Sequence, residues 1–177
     1  MDKAFGGTMK KFLAIATAIG SLTACGSSSP TAPTAPPANI AGPYNANIIA
    51  SSTCSANLPS ETRTLFFVST ITQTGAAVQV QLVAKAAGNP SLTVSGTISG
   101  QTVNFPSFSL NETMTNGLTL VASGNASVGA NGSITGTLTG TFQTPSGSTC
   151  NAANHQLEFV KLCPQQTATG SALVPCQ

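Results

Sequence analysis

Charged residues make up only 6% of this 177-residue chain, tryptophan is absent, and beyond Cys25 there is no aspartate and a single histidine, His155. Without aspartate, no Ser-His-Asp triad can be built in that region, and the glutamates at positions 61, 112 and 158 are scattered. His155 and Glu158 would form a dyad only if folding happened to join them; His155 is expected on the surface or rim, at the opening of the last strand. Glu61 and Arg63, two apart on one strand face, are expected to form an exposed pair of small worth. No glycine-rich phosphate loop follows a strand and opens a helix. Arg63, Lys85 and Lys161 balance the three glutamates, so the net charge of +2 belongs to the first residues. A near-neutral remainder argues against nucleic acid, whose binding needs several cations on phosphates, and against a polybasic membrane surface. The chain is therefore read as non-enzymatic, with no cofactor. Long apolar runs are missing too: the longest, Phe12 to Gly20, is too short to span a bilayer.

That short run has a different meaning. Met9, Lys10 and Lys11 give it a positive start, and it leads into Leu22, Thr23, Ala24 and Cys25. These four residues resemble the bacterial lipoprotein signal, in which Leu, a small or hydroxyl residue, and Ala or Gly precede an invariant cysteine. The resemblance implies cleavage before Cys25, a diacylglycerol on its sulfur and, in many bacteria, acylation of the new amino group. It also implies a cell-envelope location, and Gly26, standing where an inner-membrane retention aspartate occurs in some lipoproteins, points to the outer membrane of a two-membrane host. The physical role of the lipid is retention: each buried methylene contributes about 0.8 kcal/mol, and durable anchoring takes two or more chains. The alternatives are an ordinary secretory signal with a chance cysteine, or a short buried helix. Residues 1–8 precede a signal that already has its own Met9, which suggests a misplaced start codon.

The expected organisation is thus a signal peptide over 1–24, a lipidated linker over 25–39 and a folded domain over 40–177. The linker is built of Gly, Ser, Thr, Ala and Pro, with prolines at 30, 33, 36 and 37. Stiffened in polyproline conformation, Gly26 to Ala38 would hold the domain some ~40 Å from the lipid. A proline-rich docking ligand is the other reading of the same composition.

From Ile40 the pattern becomes a series of alternating runs: Tyr44 to Ala50, Thr62 to Gln73, Val78 to Leu82, Leu92 to Ile98, Thr102 to Leu110, Leu118 to Val128, Ile134 to Phe142 and Gln156 to Leu162. In the seventh, Ile134, Gly136, Leu138, Gly140 and Phe142 share one face, with hydroxyl residues on the other. Residues that favour turns separate the runs, at Thr74-Gly75, Gly88-Asn89-Pro90, Ser99-Gly100, Asn116-Gly117 and Asn131-Gly132, so neighbouring strands should pair as hairpins. Pro106 interrupts the fifth run, and the apolar phase shifts from Val103 and Phe105 to Phe108 and Leu110, which predicts a bulge or an edge. Gly96, Gly136 and Gly140 fall on inward positions, where they permit tight coiling or leave room for a neighbour or a ligand. The fold class is all-β: an eight-stranded antiparallel meander closed as a small barrel, with a two-sheet sandwich as the alternative. The barrel is similar in outline to lipocalins and the avidin family, in architecture only, since the Gly-x-Trp signature is lacking.

Four cysteines remain after Cys25, and in an oxidising compartment they should form two disulfides, with three connectivities open. Four cysteines are also a metal-site pattern, but no C-x2-C spacing occurs. Closing the meander puts the end of the first strand beside the start of the last. Cys54 then pairs with Cys150 across the seam, and Cys163 with Cys176 pins the tail to the last strand. Two functions are compatible with such a domain. One is binding of a small apolar ligand inside the barrel, with Phe67, Phe105, Phe142 and Phe159, together with Tyr44, Phe66 and Phe108, as lining. The other is a protein-interaction or inhibitor module acting through the loops Ser51 to Glu61 and Gln143 to Asn154. The partners expected are the lipid bilayer through Cys25 and either that ligand or an envelope protein.

Overall fold

The structure, a computed structural model, describes residues 35–85, 88–115, 117–167 and 170–177. The signal segment, Cys25, most of the linker and Asn116 of the expected Asn116-Gly117 turn lie outside the described residues. Eight antiparallel strands form the barrel: β1 (Gly42–Ile49), β2 (Thr64–Thr74), β3 (Ala77–Ala84), β4 (Ser91–Ser99), β5 (Thr102–Leu110), β6 (Thr119–Val128), β7 (Ile134–Gln143) and β8 (Thr149–Thr167). Each pairs with the next in sequence, and β1 pairs with β8 from Tyr44 opposite Lys161 to Ile49 opposite Gln156. That last ladder closes the sheet, which decides between barrel and sandwich. Two 3-10 turns, Ser52–Ala56 and Ser60–Thr62, fill the β1–β2 connection.

Alternation explains the core. In β2 the residues Leu65, Phe67, Ser69 and Ile71 point inward and Phe66, Val68 and Thr70 outward. The interior is packed with Tyr44, Ile48, Ile98, Leu110, Leu120, Ile134, Leu138 and Phe142, none exposed by more than 2%. The inward glycines serve a neighbour: a Cβ on Gly136 would lie on the Asn125 carbonyl oxygen and 2.7 Å from the Ala126 Cβ. The β6 and β7 backbones thus coil against each other more closely than any side chain allows. Tyr44, in β1, is fully buried, its hydroxyl donating to the Ile40 carbonyl at 2.8 Å, and burial pushes its pKa up to about 12.

Several expectations need correction. The second strand begins at Thr64, because Ser60–Thr62 wind into a 3-10 turn; Glu61 and Arg63 therefore do not pair across a strand face. Arg63 instead donates to the backbone carbonyls of Leu58 and Ser55, at 2.9 and 2.6 Å. The last barrel strand starts at Thr149, before the expected Gln156, and runs past the barrel to Thr167. Its early part carries no alternation signal because a bulge lies opposite the step from Leu138 to Gly140. That bulge switches the inward phase from Cys150 and Ala152 to His155, Leu157 and Phe159. A ninth strand, β9 (Gly170–Pro175), folds back along Leu162–Thr167 as a hairpin arm. The bulge expected at Pro106 is present, as a register shift between Phe105 and Phe108.

Candidate functional site

The disulfides join Cys54 to Cys150 and Cys163 to Cys176. The first ties the β1–β2 connection to the start of β8, and around it three loops converge at one end of the barrel. In the first loop Ser51 Oγ accepts from the Thr53 amide at 3.3 Å and caps the first 3-10 turn, which the Cys54 carbonyl continues by accepting from Asn57 and Leu58 at 3.0 Å. Asn57 Nδ2 then donates across to the Thr149 carbonyl at 2.8 Å. In the second, the β7–β8 turn, Thr144 is the organiser: its amide donates to the Ser148 carbonyl at 2.9 Å and its Oγ1 accepts from the Ser148 amide at 3.0 Å. This turn, Thr144 to Ser148, is all that remains of the loop expected over Gln143 to Asn154. The third loop joins β5 to β6; Met114 and Leu118 are buried in it, and Thr115 Oγ1 donates to the Leu118 carbonyl.

Between these loops lies a groove of about 610 Å³, with Leu58, Pro59 and Ala56 on one bank and Pro145, Ser146 and Ser148 on the other, over Gly117 and Leu118. Thr62, Thr144 and Asn57 supply its polar edge, and no charged side chain lines it. Its banks are held by a disulfide and by backbone hydrogen bonds, so it is formed before any partner arrives.

His155 is part of the same end, against expectation buried rather than at the surface: it is fully enclosed. Nδ1 accepts from the Ser51 amide at 3.0 Å, which leaves the proton on Nε2 to be donated to the Gly140 carbonyl at 3.1 Å. The ring stands edge-on to Phe142, centroids 4.9 Å apart. Burial lowers the His155 pKa below 6.5, against a smaller opposite pull from the Gly140 bond. Glu158 lies on the outer wall, where it accepts from Asn47 Nδ2 at 3.1 Å, so the sequence pair His155 and Glu158 is not a dyad. His155 positions the connection that leaves β1 through its bond to the Ser51 amide.

The phenylalanines divide. Phe105 and Phe159 stack with centroids 6.1 Å apart and line an apolar recess together with Phe108. Phe67 and Phe142 are buried in the core away from that recess. Phe66 is corrected outright: next to the inward Phe67, it must face outward, and it is 60% exposed. The recess itself has room for about 10 Å³, roughly one water probe, so the interior as folded is filled. The two loops expected to act together from the sequence supply the banks of the groove, where barrel closure brings Pro59 and Pro145, 86 residues apart, to one end; nothing in the sequence places Gly117 and Leu118 at its base. Comparison of the chain with protein-family models, curated proteins and solved structures finds no match.

Proposed function

We propose that this chain is a lipid-tethered, non-enzymatic β-barrel of the cell envelope that acts as a protein-interaction or inhibitor module through the groove at its disulfide-braced end. The observation that carries this reading is the contrast between a filled interior, about 10 Å³, and an outer groove of about 610 Å³ built on fixed loops. Ligand sites normally offer a few hundred Å³ of enclosed space, on the order of 300 Å³ or more. The lining of the groove selects the partner: two prolines and two leucines between hydroxyl and amide groups, with no charge, suit an uncharged extended segment of another envelope protein. The tether rests on the resemblance of Leu22 to Cys25 to the lipoprotein signal, and on a linker long enough to lift the groove clear of headgroups.

Two measurements test it. Labelled palmitate fed to the host should enter the protein and be lost in Cys25→Ala; absence of label removes the tether. A photo-crosslinking residue at Ser146 should give a discrete adduct that the same residue at Gln79, on the outer wall of β3, does not give. Pro59→Asp, which puts a charge into the groove, should abolish the adduct. Equal adducts from both positions, or an adduct indifferent to Pro59→Asp, would overturn the interaction reading.

A further inference from the structure

Every neighbouring pair of barrel strands except one is joined over six to ten residue pairs. The exception is β4–β5, whose ladder holds only Thr97–Asn104, Ile98–Val103 and Ser99–Thr102, next to the connecting turn. Beyond it, Ser91 to Gly96 on one strand and Phe105 to Leu110 on the other have no ladder between them. The cause is local: the register shift between Phe105 and Phe108 reverses the side-chain phase, and Pro106 has no amide hydrogen to donate. Where hydrogen bonds would have sealed the wall, side chains do so. Phe105 covers Gly96, with a ring carbon 3.1 Å from where a Cβ would stand, and Phe108 is packed, partly buried, against the core.

Directly behind them is the apolar recess, walled by Ile48, Val80, Leu82, Val94 and Phe159. Beside Leu82 in the β2–β3 ladder is Ser69, 1% exposed, whose Oγ has no hydrogen-bond partner among the described residues. A buried hydroxyl without a partner is destabilising, and a ligand acceptor would relieve it. The apolar recess and the wall without a ladder share Val94, Phe105 and Phe108, and the spare buried donor is the ladder partner of Leu82, which lines the same recess.

We infer that the parted β4–β5 wall is a lateral port for a small uncharged amphiphile, an alkyl chain or fused ring with one acceptor atom. The apolar body displaces Phe108 outward and occupies the recess, and Ser69 Oγ donates to the head atom. This site lies away from the loop groove and stands whether or not the groove binds a protein.

The test uses the full chain with N-phenyl-1-naphthylamine as fluorescent probe and dodecanol as competitor. Saturable, one-to-one fluorescence enhancement is expected, displaced by dodecanol, with slowed hydrogen exchange confined to residues 91–96 and 105–110. Phe108→Ala should tighten probe binding about tenfold by leaving the displaced volume open. Val94→Phe should weaken it about tenfold or more by filling the recess; if that variant does not fold, Val94→Leu serves, with a smaller loss. Ser69→Ala should weaken dodecanol several-fold while leaving the probe unchanged. Phe66→Ser, on the outer wall, should change nothing. Absence of saturable binding, loss of binding in Phe66→Ser, or exchange slowed elsewhere would overturn the proposal.

Discussion

The two opposite walls of the barrel are built on different principles. Along the β1–β8 seam the ladder runs over six residue pairs, and at its end a disulfide and a fully buried histidine tie the strands to the loop. Across the barrel, β4 and β5 share three pairs and are held apart by a bulge and a proline. Closing a barrel costs the entropy of bringing the first and last strands together, whereas β4 and β5 are joined by a tight turn and need little beyond it. The cross-links therefore stand where the sequence separation is greatest, and the loose contact is found where the chain itself holds the strands together.

The strongest way to break this comparison is to remove the seam cross-link. Cys54 and Cys150 are 96 residues apart, and the Cys54→Ala/Cys150→Ala pair is expected to lose about 2–5 kcal/mol in urea unfolding. Hydrogen exchange should rise first in Ser51 to Leu58, which depends on Cys54, and the groove should open with it. A loss below about 0.5 kcal/mol would mean that the β1–β8 ladder closes the barrel unaided.

His155 gives the next largest effect and a pH signature. Its folded pKa is lowered by burial, so as pH falls below about 6.5 the unfolded chain takes up the proton before the native one does. The stability that depends on neutral His155 is complete above about 6.5 and is lost as pH falls from there through the lowered folded value. The slope contributed by one proton is at most about 1.4 kcal/mol per pH unit. Physically, protonation converts Nδ1 from acceptor to donor and sets it against the Ser51 amide. His155→Gln should cost about 1–3 kcal/mol at neutral pH and flatten the slope. A slope unchanged in His155→Gln, read from unfolding at several pH values, would assign the acid sensitivity to the carboxylates.

The seam also marks where sequence reading works and where it stops. Period-two patterns such as Ile134 to Phe142 carry their strand assignment in the residues, and the cysteine positions before and after the meander carry its closure. Phase is equally legible where it is uninterrupted, which is why the shift at Pro106 could be read as a bulge. Opposite Leu138 and Gly140 the same event was hidden, because Asn151 to Asn154 offers only alanines and amides. His155 keeps the phase of Leu157 and Phe159, but with the strand expected to open only at Gln156 it is read as a rim residue. Phe66 was misassigned for a related reason: the polar Ser69 blurs the inward series Leu65, Phe67, Ile71. The two loops that form the banks of the groove are legible as one end of the barrel through Cys54 and Cys150, whereas Gly117 and Leu118 at its base carry no signal that would place them there.

On the loose wall a gentler substitution sharpens the contrast. Pro106→Ala restores an amide on β5 but leaves the register shift, so its effect on global stability should stay within about 1 kcal/mol. If the amide instead let β4 and β5 zip further, exchange in Ser91 to Gly96 would slow and stability would rise. That result would show the proline alone keeps the wall apart, and it should weaken the naphthylamine probe in step.

The smallest effect belongs to the second disulfide, which has the same chemistry in a different setting. Cys163 and Cys176 are 13 residues apart, and they clamp a hairpin in which Leu162–Thr167 pairs only with β9. A two-stranded hairpin has marginal stability of its own in water, so the cross-link acts on the arm and hardly at all on the barrel. The Cys163→Ala/Cys176→Ala pair should therefore leave the barrel midpoint within about 0.5 kcal/mol while exchange in Leu162 to Pro175 becomes fast. The amide of Cys176, which donates to the Lys161 carbonyl at 2.9 Å, is the sensitive reporter, being the bond nearest the barrel. If the barrel were instead destabilised as much as by loss of the seam bond, the arm would be a ninth member of the cooperative unit, and the distinction between a cross-linked seam and a decorated edge would fail.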